Sequence, residues 1–165
     1  MLIAVELGLI YAVMALGVYL TFRVLDLPDL TVDGSFTTGA ATAAVLIVGG
    51  TPAPLAMVAA FLAGSVAGLV TGLLHTKGNI NGLLAGILTM IGLYSINLRI
   101  LGQANVSLLG EDTMFQALRV MGISRGPLLI GVLVIMVVVI KVIIDWFLAT
   151  DVGLALQATG DNEEM

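Results

Sequence analysis

The chain has no cysteine among its 165 residues. That excludes disulfides, thiolate metal sites and cysteine nucleophiles, and it leaves the redox compartment open. Charge is nearly as scarce, at 10% of residues against about 25% in an ordinary soluble domain. So few charges cannot dress a water-facing shell. His75 is the single histidine, and with no second histidine and no cysteine it has no partner for a metal site; it reads as a turn residue. There is no Walker motif, serine elbow or dinucleotide fingerprint. The acids at 111, 112, 161, 163 and 164 fall in surface elements and form no catalytic pair. The net charge of -5 sits largely in two short stretches, and neither charge nor motif suggests nucleic acid. Catalysis, bound cofactors and resident metals therefore find no support in this chain.

What is abundant is apolar length. Hydrophobic residues make up 59% of the chain and mean hydropathy is +1.15. The expected fold is all-α, a polytopic helical membrane protein. A span needs about 20 apolar residues for about 30 Å of hydrocarbon, and about five segments qualify, over 3–22, 34–50, 53–74, 80–98 and 127–149. The first has neither a basic n-region nor a small-residue cleavage site, so it reads as a retained span. The second is short and rich in small residues, and "RVLDLPDLTVDGS" breaks the chain before it. Pro28 restricts its predecessor and has no amide proton, so the second helix is expected to be discontinuous with the first.

Small residues recur every four positions at Ala60, Gly64, Gly68 and Gly72, and again at Gly82 and Gly86. Such a stripe lets another backbone approach closely. Within 99–126, Met114, Phe115, Leu118 and Met121 share a helical face, so 111–121 is expected as a helix on the membrane surface or against a partner. Pro127 suits the first turn of the fifth span.

Polar groups in oily surroundings are the candidates for function. Lys141 and Asp145 stand four apart in the fifth span and share a face; they read either as a mutual salt bridge or as part of a transport or proton path. Asp33 or Ser35 is suited to cap the second helix. A broken helix beside Asp26, Asp29 and Asp33 reads as a solute pathway or equally as a polar loop. The end of the chain, "LQATGDNEEM", carries Asp161 and Glu164 at capping-box spacing, with acids where a helix dipole favours them. A helix over 160–165 is too short to nucleate alone.

"YLTFRVLDLPDLTVDGSFTTGA", "HTKGNINGLLAGILTMIGLYSINLRILG" and "LQATGDNEEM" together resemble the ABC-type importer permeases related to the branched-chain amino acid and ribose-type permeases. The similarity covers nearly the whole chain. It implies a permease subunit for a small solute, an amino acid or a related compound. It further implies a cytoplasmic ATPase partner that uses ATP and Mg, a second permease subunit, an extracytoplasmic substrate-binding lipoprotein, and a lipid surround. Carried over by resemblance, Gly160, Asp161, Asn162, Glu163, Glu164 and Met165 begin the element that docks on the ATPase. Thr31, Asp33, Ser35 and Asn97 are the expected pathway residues. The resemblance places the protein in the cell (inner) membrane with a cytoplasmic C-terminus; the basic residues, Arg23 and Lys77 on one side and Arg99, Arg119 and Arg125 on the other, barely discriminate. Members of the family are usually nearly twice this length, so the chain is expected to be a fragment, a truncated product or half of a split permease. A membrane scaffold that moves nothing is the alternative.

Overall fold

The computed structural model describes residues 2–111, 113 and 127–161. It is all-α in these residues, and five of the helices are long and apolar enough to cross a membrane. They are α1 (Leu2–Tyr19), which runs into a π-helical turn at Leu20–Val24, then α2 (Thr31–Val48), α3 (Ala53–Thr76), α4 (Gly82–Leu101) and α5 (Pro127–Leu148); a shorter α6 (Asp151–Asp161) follows. The chain divides into two compact units, one of Asp29–Met121 and one of Met1–Pro28 with Gly122–Met165. The expected surface helix at 111–121 lies almost wholly outside the described residues; Glu111 and Thr113 are not helical.

Local chemistry sets the helix ends in the unit of α2, α3 and α4. The second span begins three residues earlier than its pattern suggests, because Asp29 and not Asp33 or Ser35 starts it: the Asp29 carboxylate accepts the Thr31 N–H at 2.8 Å. Asp33 lies in the first turn, and Ser35 instead donates its hydroxyl to the Val32 carbonyl at 3.0 Å. The 18-residue helix that results is continuous and meets the length and hydropathy of a span, which removes the expected shortness. Gly50, at φ 83°, turns the chain out of α2, and Pro54 sits in the first turn of α3, where a missing amide proton costs nothing. Asn81 caps α4 by accepting the Leu83 N–H at 3.0 Å, and Gly102 ends it in the left-handed conformation.

These three helices meet through small residues. An added Cβ on Gly39 would stand 3.3 Å from the Ala60 carbonyl oxygen of α3, and one on Gly64 would stand 3.5 Å from the Ser35 carbonyl oxygen of α2. One on Gly34 would touch Leu93 of α4 at 3.0 Å, and one on Gly86 would lie 2.8 Å from the Leu30 amide nitrogen. α3 therefore runs antiparallel to α2, and α4 parallel to it. The expected stripe on α3 is used only in part. Nothing stands within 4 Å of a Cβ at Gly68 or Gly72, and the buried positions of this helix are Ala56, Ala67 and Thr71.

In the other unit α1 packs against α5, and α6 contacts both the π-turn and α5. No residue of α1 is buried, and Leu133 is the buried apolar residue of α5. Apolar exposure of this kind is tolerated in lipid, where tails are as oily as leucine.

The closest backbone contact of α4 yields a test. Gly86→Ala would force Cβ against the Leu30 amide and the Asp29 carboxylate. The expected cost is about 1–3 kcal/mol, read as a lower melting temperature of the purified protein. An unchanged temperature would show that this contact is slack.

Candidate functional site

Two sets of residues stand out, one in each unit. The first is the buried polar face of α2, α3 and α4, comprising Thr31, Thr38, Thr71, Thr89 and Asn97. Thr31 is 1% exposed, and its hydroxyl meets that of Thr71 at 2.7 Å across α2 and α3. Thr38 and Thr89 donate to carbonyls of their own helices, Gly34 at 2.8 Å and Ala85 at 3.0 Å. Asn97 is 5% exposed, and its Oδ1 receives no hydrogen bond among the described residues. An unmatched buried carbonyl of this kind carries a desolvation penalty.

The expected pathway residues do not gather at one point. Thr31 faces α3, whereas Asp33, two positions on and so on the other side of the helix, is exposed. Ser35 is half-buried. Asn97 lies eleven residues along α4 from Gly86, which packs at Asp29 and Leu30; at 1.5 Å per residue that is ~16 Å along the axis. Thr31 and Asn97 thus share a buried face at different depths, and Asp33 presents itself outward.

Residue reading missed Thr71, Thr38 and Thr89. Thr31, Gly34, Thr38 and Ala41 follow a 3-4-3 spacing, which marks one helix face, so α2 carried a signal. Nothing in the sequence pairs Thr71 with Thr31, forty residues away. Beside this face runs an apolar groove of about 480 Å³, lined by Thr38, Ala67, Val70, Leu88, Thr89 and Leu93 among others. Since both threonine hydroxyls there donate to their own backbones, the groove has little with which to orient a polar solute.

The second set is in α5 and α6. Lys141 and Asp145 form the expected ion pair. Their side chains are 58% and 55% exposed, so the pair stands on the outer surface of α5 and not inside a bundle formed by this chain. Gly160 and Asp161 close α6. The expected helix start at Asp161 is thus corrected: Asp161 belongs to the last turn of a helix that begins at Asp151, where another acid occupies the first turn. Asn162, Glu163, Glu164 and Met165 lie outside the described residues. Among the described residues no cluster of histidines or carboxylates is arranged to hold a metal.

Five apolar spans, a threonine-lined small-residue core and an unbroken match over residues 1–165 to the family model described as "Branched-chain amino acid transport system / permease component" decide the family. The chain belongs to this family of ABC-type permease components. It is 42% identical over 158 residues, 96% of the chain and 51% of the relative, to a "Tyrosine transport system permease protein" of Clostridioides difficile (strain R20291). It is 36% identical over 164 residues, 98% of the chain and 55% of the relative, to an uncharacterized protein of Rickettsia prowazekii (strain Madrid E). The chain spans about half the length of the curated relatives it matches. No solved structure matches it.

Asn97 is the site residue of this permease component whose isolation has a measurable consequence. Asn97→Leu keeps the branched shape, with two methyls in place of the amide, and removes the orphaned carbonyl. Release of a penalty of about 1–3 kcal/mol is expected, read as a higher melting temperature. A fall would show that the amide has a partner in the assembled transporter.

Proposed function

We propose that residues 1–165 form the N-terminal part of the transmembrane domain of an ATP-driven importer for an amino acid or related small solute. The observation that carries this reading is the family match over the whole chain, and the similarity to a relative named for tyrosine transport supports the solute class. In this reading the permease supplies the path, and no covalent chemistry falls to it. ATP and Mg belong to a separate cytoplasmic ATPase. A second permease subunit completes the path, and an extracytoplasmic lipoprotein delivers solute. The protein sits in the cell (inner) membrane with its C-terminus in the cytoplasm, so that five crossings put the N-terminus outside.

Alternating access needs a polar route through lipid and a handle for the ATPase. The route is assigned to α2 and α4. Asp33 is an exposed carboxylate in the first turn of a span, a position that is costly unless it faces water, a solute or another protein. Thr31, Ser35 and Asn97 supply hydroxyl and amide groups on the same two helices. The handle is assigned to Gly160, Asp161, Asn162, Glu163, Glu164 and Met165, whose three carboxylates suit a basic patch on the ATPase.

Reversal of charge tests the handle. Glu163→Lys together with Glu164→Lys, in the complete transporter, is expected to weaken co-purification of the ATPase and its stimulation by about thirtyfold or more, since a truncated charge pair at an interface costs about 2 kcal/mol or more. Wild-type recovery of the ATPase would remove the assignment. For the route, Asp33→Asn is expected to impair uptake of radiolabelled tyrosine without loss of assembly; normal uptake would reduce Asp33 to a surface acid.

A further inference from the structure

The last described helix is held by one face. Gly153, Gln157 and Gly160 stand at i, i+4 and i+7, on one side of α6. At Gly153 there is no room for a Cβ, which would run into the Phe147 carbonyl oxygen and the last turn of α5. Gln157 donates its Nε2 to the Leu148 carbonyl at the end of α5, at 3.0 Å. At Gly160 a Cβ would run into the Val24 carbonyl oxygen and stand 3.0 Å from the Leu25 carbonyl carbon. α6 is thus seated on the end of α5 by its first turns and on the end of α1 by its last.

The seat on α1 is built by sequence. The final turn is π-helical over Leu20–Val24, with the Leu25 N–H reaching back to the Leu20 carbonyl at 3.1 Å. Pro28, four residues after Val24, has no N–H to offer the Val24 carbonyl, and Asp26 at φ 48° carries the chain away. The carbonyl left over meets the Cα hydrogen of Gly160, a weak donor. π-Turns of this kind are frequent where a helix serves a function.

We propose that α6 is a rigid crossbar that carries motion of the ATPase-docking segment into α1 and α5 together, with Gly160 as its positioning residue. This rests on the reading of 160–165 as that segment. A crossbar fixed to both spans turns a push on its end into a joint movement of α1 and α5. A crossbar loosened at Gly160 lets the ATPase move without them.

The chain has no cysteine, which suits spin labelling. Tyr19 and Val152, 52% and 62% exposed, flank the joint, so nitroxides are placed at Tyr19→Cys and Val152→Cys in the complete permease in phospholipid vesicles, with and without ATPase and ATP. One narrow distance distribution, unchanged by nucleotide, is expected. Gly160→Ala is expected to broaden it and to lower tyrosine uptake per ATP hydrolysed; uptake per ATP is a ratio that simple loss of folded protein does not move. Should Gly160→Ala fail to assemble, Gln157→Met, which removes only the side-chain bond to Leu148, is expected to broaden the distribution in the same direction. A wild-type distance that shifts with nucleotide, or a Gly160→Ala permease with wild-type distance and uptake ratio, overturns the crossbar. A narrow distance that persists while Glu163→Lys with Glu164→Lys leaves ATPase binding intact overturns the docking assignment, and with it the transmission of ATPase motion, and leaves only the rigid joint of α6 to α1 and α5.

Discussion

The fold depends on backbones coming close enough to touch. Between helices in lipid, burial of apolar side chains gives almost no drive, because the tails they would leave are equally apolar. Attraction must come from dense van der Waals contact and from the few polar groups that find each other. Both need small residues at the meeting points. Gly34 and Gly39 on α2, Gly64 on α3 and Gly86 on α4 stand where a Cβ would press on a neighbouring helix or, at Gly86, on the residues that lead into one, and Ala41, Ala56, Ala67 and Ala85 are buried with Leu93. Large side chains such as Phe61, Ile91 and Tyr94 are turned outward. The arrangement inverts the soluble rule because the solvent is inverted.

The same constraint explains what was legible in the sequence. Five spans follow from apolar length, which is a property of single segments. Helix ends follow from punctuation that acts within a few residues: Pro127 opens α5 where its missing amide proton costs nothing, whereas the start of α2 is displaced. Asp33 and Ser35 both have capping chemistry, but Asp29 reaches the Thr31 amide first, and the helix then continues through the other two. Choosing among three candidate caps within seven residues takes the backbone path, which a motif does not carry. The stripe on α3 shows the other limit. Ala60, Gly64, Gly68 and Gly72 share one face by period, yet the contact with α2 uses Gly64 and the carbonyl of Ala60 and leaves Gly68 and Gly72 open. Period identifies a face and not the length over which a partner covers it.

Polar residues follow a division that sequence alone only half reveals. Threonines in a span look like solute ligands, but Thr37, Thr38, Thr42, Thr76 and Thr89 donate their hydroxyls to carbonyls four residues back, and Thr71 does so at the longer distance of 3.5 Å. A hydroxyl so used has no proton left to offer a solute, only lone pairs, and is harmless in lipid. That leaves as the informative ones Thr31, whose hydroxyl reaches across to Thr71 of α3, Asn97, whose carbonyl is unmatched among the described residues, and Asp33, which is exposed. Lys141 and Asp145 neutralise each other on the surface of α5, which makes a bilayer-facing position tolerable without assigning it a role.

The end of the chain shows how a correct local signal can belong to a different structure. Asp161 and Glu164 have the spacing of a helix start, while α6 has already run from Asp151 when it reaches Asp161. A glycine such as Gly160, just before a helix-start signal, has the conformational freedom to let a new helix begin. In the fold it is the point where a side chain is forbidden because the Val24 carbonyl occupies the space. A glycine required for conformation and a glycine required for contact are identical in sequence; only the neighbour decides between them. At Gly160 that neighbour is the end of the first span, made accessible by a π-turn and by a proline that withholds an N–H. Val24 and Gly160, 136 positions apart in the chain, are thereby joined at one atom, and the segment after α5 becomes the place where two spans are tied.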